Sequence, residues 1–166
     1  MNTQPSVRRR VWRLGADIDT DVLAPGRWMK LPVAELAAHC LESIRPEFAR
    51  EVQAGDIIAA GRNFGVGSSR EQAAAVLKTL GVAAVLAPSF AGIFFRNAIN
   101  LGLPVFTCAE AERLIDGERV TFEPQSAQLV RADGSNVPIT PLPDFLSAIV
   151  AAGGLLPSLR QRLQAR

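Results

Sequence analysis

The sequence has few of the residue types that mark a metal centre or a disulfide framework. Its 166 residues include two cysteines, one histidine and no tyrosine, and aromatic residues make up 6% of the chain. Cys40 and Cys108 lie far apart, with neither a CxxC motif nor the Cys/His spacing of a zinc or iron–sulfur site. The sequence therefore predicts no metal bound by this chain alone, and an interior that aliphatic side chains fill.

Long apolar runs are also missing, and neither sign of charge is in strong excess. No apolar stretch is long enough to cross a bilayer, and the first residues lack the apolar core of a signal peptide. Lysine and arginine (18) nearly balance aspartate and glutamate (16), and the one dense basic run, Arg8–Arg10, is better explained as a solvated strand end than as a grip on an acidic partner. We therefore expect a cytoplasmic protein with reduced thiols and with neither a membrane nor a nucleic-acid partner.

The order of predicted elements indicates an α/β fold. Alternating or continuous apolar patterns predict strands over 7–14, 56–60, 82–87 and 103–106. Helical propensity, caps and stops predict helices that open at Pro32 and Pro46, and further helices over 69–80, 89–102 (capped by Ser89) and 109–115, with Gly81 and Gly102 as stops. The alternation of strand and helix from 55 to 115 predicts parallel strands joined by right-handed crossovers.

The last third of the chain has a different pattern. Short strands are predicted over 119–124 and 128–133, with a turn at Asp133–Gly134, which together indicate a small antiparallel element. Helices are predicted over 142–152 and 155–164. Because neither a linker nor a repeat interrupts the pattern, we expect one domain over residues 1–166.

The stretch GRNFGVGSSREQ (61–72) directly follows a predicted buried strand and indicates a binding site for an anion. Gly65 and Gly67 allow positive φ angles and leave room for a ligand close to the backbone. Ser68 would present its hydroxyl at the mouth of the turn, and Arg70 would clamp a carboxylate or phosphate. A helix that begins directly afterwards would add its first N–H groups and its dipole.

A purely structural explanation of this stretch stays open, because glycine-rich turns also serve as tight connections, here with Ser69 as the helix cap. Arg70 stands where a dinucleotide-binding motif needs its third glycine, and no P-loop lysine is present. Ser68 lacks the spacing of a GxSxG nucleophile, and the sole histidine, His39, lies in another segment, where a helix face explains it best. The acidic run DIDTD (17–21) lacks the glycine and the glutamate of a calcium loop and is predicted to form a turn.

Several longer segments resemble a known family. DIDTD, PGRWMKLP, AGRNFGVGSSREQA and APSFAGIFFRNAINLGLPVF, in that order, resemble the small subunits of the aconitase family, which include those of 3-isopropylmalate dehydratase and homoaconitase. The resemblance covers roughly residues 12–155. It implies a swivelling β/β/α fold in three layers, like the C-terminal domain of aconitase, with a mixed sheet and parallel βαβ units.

The resemblance also implies an activity, which is that of a small subunit in a hydro-lyase. Such enzymes interconvert 2- and 3-isopropylmalate in leucine biosynthesis, and a separate large subunit holds a [4Fe–4S] cluster whose open iron acts as a Lewis acid. The chain would then be active only with that large subunit, on a small hydroxy di- or tricarboxylic acid. The resemblance matches Ser68 to the catalytic base and Arg70 to the arginine that binds a substrate carboxylate. Further substrate-binding positions are Gly67, Ser69, Asp19, Thr20 and Asp21.

The same resemblance implies a specificity loop that meets the variable substituent of the substrate, formed by Trp28, Met29, Lys30 and Leu31. Its apolar side chains favour an isopropyl group, whereas Lys30 favours the extra carboxylate of homoaconitate. We expect an isopropylmalate-like substrate, with homoaconitate or a dimethylmalate-type acid as the alternatives. A free-standing small-acid binding module and a non-catalytic regulatory paralogue also stay open. Val66 stands where many relatives have cysteine, and GVGSSRE is expected to remain competent.

Overall fold

The computed structural model describes residues 7–124 and 126–165. It contains one mixed sheet of seven strands, which are β1 (Arg8–Arg13), β2 (Ile57–Ala59), β3 (Ala84–Ala87), β4 (Val105–Thr107), β5 (Arg119–Glu123), β6 (Gln128–Val130) and β7 (Asn136–Val137). Their order in the sheet is β4-β3-β2-β1-β5-β6-β7. Strands β1 to β4 pair in parallel, and β5 to β7 continue the sheet in antiparallel fashion from β1.

The helices are mostly short and lie in the connections of the parallel strands and at the C-terminal end. They are α1 (Thr20–Leu23), α2 (Val33–Leu36), α3 (Phe48–Glu51), α4 (Gln72–Thr79), α5 (Gly92–Leu101), α6 (Asp144–Ala151) and α7 (Leu155–Gln164). Single 3₁₀ turns occur at Gly26–Trp28, Ala37–His39 and Ala111–Arg113. In the part of the chain that the structure describes, none of these helices combines the length and the apolar character that spanning a bilayer requires.

Both faces of the parallel strands are buried, which explains why these strands read as continuous apolar runs. On one face, Ile58 and Val85 belong to a hydrophobic cluster that also contains the buried residues of α1 to α5. On the other face, Ile57 and Leu86 share a second cluster with Phe122 of β5 and with residues of β6 and β7. The antiparallel strands therefore cover the face opposite the helices, and the expected three-layer β/β/α arrangement is confirmed.

A buried tryptophan joins the first two strands of the parallel set. Trp12 is fully buried, and its Nε1 donates to the Asp56 carboxylate at 2.9 Å. The same carboxylate oxygen of Asp56, Oδ2, also accepts from the backbone N–H of Gln53 at 3.0 Å, so this buried acid is hydrogen-bonded. The ring of Trp12 meets Phe48 edge-on at 4.9 Å. These contacts set β2 beside β1, and the loops that follow the two strands therefore start close together.

Most elements lie where the sequence predicts them. The four strands of the parallel set, both tail strands and the helices over 142–152 and 155–164 are confirmed, with ends that differ by up to three residues. Gly81 and Gly102 end their helices with φ angles of 81° and 75°, the left-handed region that favours glycine.

The helix predicted over 109–115 is wrong, because only one 3₁₀ turn, Ala111–Arg113, forms there. Leu114 already has extended backbone, with φ −68° and ψ 143°. The chain then turns back to the sheet, where the N–H of Gly117 donates to the carbonyl of Val11 at 2.8 Å. This early return to β1 leaves too few residues for a helix.

The predicted cap at Ser89 is also wrong. Residues 89–91 are extended and pair with Phe64, whose N–H donates to the Ser89 carbonyl at 3.1 Å and whose carbonyl accepts from Ala91 at 2.9 Å. The Ser89 hydroxyl accepts from the N–H of Asn63 at 2.9 Å instead of capping a helix. Helix α5 consequently begins only at Gly92.

Candidate active site

Two loops meet at the carboxyl ends of β1 and β2, where ligands bind in many open α/β sheets. The loop after β1 carries the DIDTD segment, and the loop after β2 carries the glycine–serine stretch. Backbone hydrogen bonds fasten the loops together: Gly65 N–H donates to Ile18 at 2.7 Å, and Thr20 N–H donates to Val66 at 2.8 Å. Val66 makes this contact through its backbone carbonyl, which is independent of the side chain at that position.

Gly65 lies where the glycine–serine loop crosses α5. Its φ angle is 82°, and a Cβ atom built there would lie 2.2 Å from Cγ of Phe94. Phe94 is itself buried and meets Phe64 at 5.1 Å, so it cannot easily give way. The position therefore requires glycine for its backbone angle and for the close approach of the helix.

We expect Gly65→Ala to lower the free energy of unfolding by about 3 kcal/mol or more, because it adds a steric clash to an unfavourable backbone angle. Urea denaturation of the purified chain measures the loss. Gly117→Ala is the matched control, since its φ is 78° and nothing lies within 4 Å of the added carbon. That variant should lose only about 1 kcal/mol, the cost of the backbone angle alone. Equal losses in the two variants would contradict the clash.

The Ser68 hydroxyl is exposed and has two polar neighbours. Arg70 Nε donates to Ser68 Oγ at 2.7 Å, and the Thr20 hydroxyl lies 3.2 Å from the same oxygen. Thr20 is buried, so it offers a fixed position for this contact. Gly67 has a φ of 108°, and a Cβ atom there would lie 3.0 Å from Thr20 Oγ1. Glycine at 67 therefore leaves room for the contact between the two hydroxyls.

Arg70 is held by the loop that follows β1. Its Nη1 donates to Asp21 Oδ1 at 3.1 Å and to the Ala24 carbonyl at 2.8 Å, and its side chain is 22% exposed. Among the described residues, no hydrogen-bond acceptor engages Nη2 of Arg70. The planar guanidinium is thus fixed by three contacts, while two N–H groups stay available for a ligand carboxylate.

Asp21 and Asp19 order the loop after β1. The N–H of Gly26, at 2.8 Å, and then Arg70 lower the pKa of Asp21 below its usual value. Because the pKa of Asp21 is lower in the folded state, these contacts stabilise the fold fully above the ordinary pKa of a carboxyl. This stabilisation is lost as pH falls through the lowered pKa. Asp19 accepts from the N–H of Val22 at 2.8 Å and caps α1. The predicted turn over the DIDTD segment is therefore wrong, because Asp19 pairs with Val66 in a parallel bridge and Thr20 and Asp21 begin α1.

The predicted start of a helix near Ser69 is wrong, because α4 begins at Gln72 and Ser69 caps no helix. The Ser69 side chain is exposed, and its carbonyl accepts from Asn97 Nδ2 at 3.4 Å. Positive φ angles at Gly65 and Gly67 keep the preceding backbone irregular, which delays the helix. The positive charge next to Ser68 therefore comes from the guanidinium of residue 70 and not from a helix end.

The four residues of the predicted specificity loop begin at Trp28, the last residue of the 3₁₀ turn, and do not share one environment. Trp28, Met29 and Leu31 are half-buried and pack against the hydrophobic cluster on the helix side of the sheet, whereas Lys30 is exposed. The Trp28 ring stacks on His39 with centroids 4.2 Å apart and planes 17° from parallel. Trp28 therefore anchors the loop to the protein.

The cysteines do not fit an iron–sulfur cluster. Cys40 and Cys108 are buried in the two separate hydrophobic clusters, and burial raises the pKa of both thiols, which disfavours the thiolate that a metal needs. Within residues 7–124 and 126–165, no group of three or more His, Cys, Asp or Glu side chains is placed to hold a metal ion.

Three polar contacts of this region were not predicted from the sequence. Asn63 Nδ2 donates to Asp17 Oδ1 at 2.8 Å and ties the two loops at their outer edge. His39 Nδ1 donates to Glu42 Oε2 at 2.8 Å, and Arg27 pairs with the same carboxylate. No helical spacing signals the His39–Glu42 contact, because the 3₁₀ turn ends at His39 and the backbone is extended at Cys40.

Comparison with known protein families identifies the class of domain to which this chain belongs. The family profile named aconitase C-terminal domain matches residues 45–110, which include β2, the glycine–serine loop and β4. The fold and the paired loops therefore define an aconitase-type C-terminal domain.

Longer alignments define the family. The chain is 48% identical over 158 residues to 3-isopropylmalate dehydratase small subunit 1 of Archaeoglobus fulgidus, covering 92% of this chain and 98% of the relative. It is 48% identical to the methanogen homoaconitase small subunit of Methanothermobacter thermautotrophicus, covering 90% and 88%. The crystal structure of 3-isopropylmalate dehydratase from Methanocaldococcus jannaschii superposes with a TM-score of 0.89, at 38% identity and 96% coverage of both chains. The chain belongs to the family of 3-isopropylmalate dehydratase small subunits.

Proposed function

We propose that the chain is the small subunit of a hydro-lyase that interconverts 2- and 3-isopropylmalate by removing and re-adding water. The observation that carries the proposal is the exposed Ser68 hydroxyl, which Arg70 and Thr20 hold in place. The names of the relatives support the choice of substrate, and with it a role in leucine biosynthesis.

Dehydration of such an acid requires a base that removes a proton from the carbon next to a carboxylate. A serine hydroxyl is a poor base near neutral pH, so the site must stabilise the alkoxide of Ser68. Arg70 Nε, at 2.7 Å, supplies a charge-assisted hydrogen bond to that oxygen, and the Thr20 hydroxyl supplies a second one when it donates. In the reverse direction, the Ser68 hydroxyl returns its proton to the same carbon.

Substrate orientation falls to the guanidinium of Arg70. Nη2, which no described residue engages, can donate to a carboxylate oxygen, and Asp21 and Ala24 keep the group from rotating away. A carboxylate bound there lies beside Ser68, so the acidic carbon is brought to the base. As negative charge develops on that carboxylate during proton removal, the same guanidinium stabilises it.

The residues of this chain supply a base and a carboxylate clamp, but not the activation of the leaving hydroxyl. The family resemblance assigns that activation to a [4Fe–4S] cluster on a separate large subunit, which acts as a Lewis acid. The poor fit of Cys40 and Cys108 to a cluster supports this division. We therefore propose an obligate heteromer, in which each chain supplies half of the active site.

The test is reconstitution with the large subunit encoded in the same genome. The two chains are co-purified, the cluster is rebuilt anaerobically, and conversion of 2-isopropylmalate, homoaconitate and a dimethylmalate is followed by chromatography. We expect isopropylmalate to be the best substrate and the isolated chain to be inactive. Turnover of isopropylmalate by the isolated chain would contradict the divided site.

A homoaconitase subunit is the second candidate, because Lys30 is exposed and is the kind of group that binds an additional carboxylate. The homoaconitase small subunit among the relatives supports it as well. Fast turnover of homoaconitate with none of isopropylmalate in the same experiment would establish this candidate. An assembled complex without turnover of any of these acids would favour a regulatory paralogue.

A further inference from the structure

The half-buried carboxylate of Glu42 organises the start of the loop between α1 and α2. Glu42 accepts from Trp28 Nε1 at 3.0 Å and from His39 Nδ1 at 2.8 Å, and it forms an ion pair with Arg27. Arg27 and Trp28 lie in one 3₁₀ turn, and His39 lies in the next one. The Glu42 side chain therefore accepts hydrogen bonds from all three residues.

The charges in this group nearly cancel. The hydrogen bond from His39 is the largest cause that lowers the pKa of Glu42, and with Arg27 and Trp28 it brings the pKa to about 2. Glu42 is therefore ionised at neutral pH and faces the guanidinium of Arg27. Asp21, whose pKa is also lowered, has Arg70 as its own partner. Arg27, whose side chain is 69% exposed, therefore has the Glu42 carboxylate as its charge partner.

A cavity of about 290 Å³ connects this group with the catalytic loops. It is lined by Asp21, Pro25, Gly26, Arg27, Glu42 and Ser43. At one side Asp21 contacts the arginine that is proposed to bind the substrate carboxylate, and at another the cavity meets the Arg27–Glu42 pair. None of the four predicted specificity residues, Trp28 to Leu31, is among the lining residues. Arg27 is therefore the positively charged side chain among the lining residues.

We propose that Glu42 is a positioning residue for substrate choice: by pairing with Arg27 and holding Trp28, it keeps the cavity free of a net positive charge, so that the cavity accepts an uncharged substituent. An Arg27 released from the pair would instead attract a carboxylate-bearing substituent. The inference rests on the proposed function, because it explains which acid the same site prefers.

Glu42→Gln in the reconstituted complex tests the inference, since it removes the charge and retains an oxygen that Trp28 can use. We expect the ratio of kcat/KM for 2-isopropylmalate to that for homoaconitate to fall about tenfold or more, the size of effect that one arginine–carboxylate contact provides. Adding Arg27→Ala to that variant should bring the ratio back to within about threefold of the starting value. Glu110→Gln, which breaks a surface pair with Arg113, is the matched control and should leave the ratio unchanged.

A second measurement does not depend on turnover. Calorimetric binding of tricarballylate, a tricarboxylate without a hydroxyl group, should tighten about fivefold or more in the Glu42→Gln complex. If Glu42→Gln fails to assemble, Glu42→Asp, which keeps the charge but draws it back by one methylene, should shift both readouts in the same direction by less. An unchanged ratio and unchanged tricarballylate binding would overturn the inference, and so would a shift that persists without Arg27. If the unsubstituted complex converts none of these acids, the proposed function fails, whereas tricarballylate binding still decides the part played by Glu42.

Discussion

Ser68→Ala should lower kcat of the reconstituted complex about 10³-fold while leaving KM within about threefold, because the substitution removes the base and keeps the carboxylate clamp. Ser68 is exposed, and its hydroxyl is fixed by two polar contacts. Alanine fits its place without strain, so assembly with the large subunit should be intact. Steady-state kinetics with 2-isopropylmalate, together with gel filtration of the complex, measure both parts.

The control for Ser68→Ala is the same substitution at Ser126. Ser126 is exposed in the turn between β5 and β6, and its hydroxyl contacts only the Glu123 carbonyl, at 3.5 Å. Because β5 runs antiparallel to β1, this turn lies at the opposite end of β1 from the site. Ser126→Ala should leave kcat unchanged. If the assembled Ser68→Ala complex has the kcat of the unsubstituted enzyme, Ser68 is not the base. That result would favour a binding or regulatory protein.

The sheet was predictable because its strands carry strong local patterns. Ile57 and Ile58 point to opposite faces and are both buried, so an unbroken apolar run was the correct sign of a parallel strand covered on two sides. The glycine stops at 81 and 102 were equally local signals, since each needs a left-handed backbone angle that side chains disfavour. What these signals omit is the pairing partner of each extended segment.

That omission explains the incorrect helix ends. Ser89 is a good cap by residue type, but pairing of residues 89–91 with Phe64 holds the backbone extended and moves the start of α5 to Gly92. Ser69 is displaced from its predicted cap in a similar way, by the positive φ angles of the glycines before it. Tertiary contacts decide both positions, and a single sequence does not contain them.

The site itself was predictable in its members but not in its connections. The glycine–serine stretch indicated Ser68 and Arg70, and the resemblance added Asp21. The sequence does not contain the hydrogen bond from Arg70 to the serine hydroxyl, because its geometry depends on a loop 46 residues earlier that presents the Ala24 carbonyl. Glu42 escaped notice for the same reason, since its three donors converge only in the folded chain.

The consequence for Arg70 is that one side chain performs two tasks through different nitrogens. Nε stabilises the serine oxygen, and Nη2 is proposed to bind the substrate, while Nη1 is occupied by Asp21 and Ala24. A lysine ammonium has the same charge but presents its donors from a single atom, so it cannot reach all of these partners at once. The two tasks should therefore fail together in a lysine variant.

Arg70→Lys is expected to lower kcat/KM for 2-isopropylmalate about 10³-fold, with KM raised about tenfold and kcat lowered about 10²-fold. KM rises because a lysine ammonium lacks the separate Nη2 donor to the carboxylate, and kcat falls because the Ser68 alkoxide loses its charged donor. This split distinguishes the variant from Ser68→Ala, in which kcat alone should change.

Arg113→Lys, at an exposed arginine paired with Glu110, is the matched control and should change neither constant. A normal KM for Arg70→Lys would contradict the carboxylate clamp, since an arginine that only supports Ser68 would affect kcat and leave substrate binding intact.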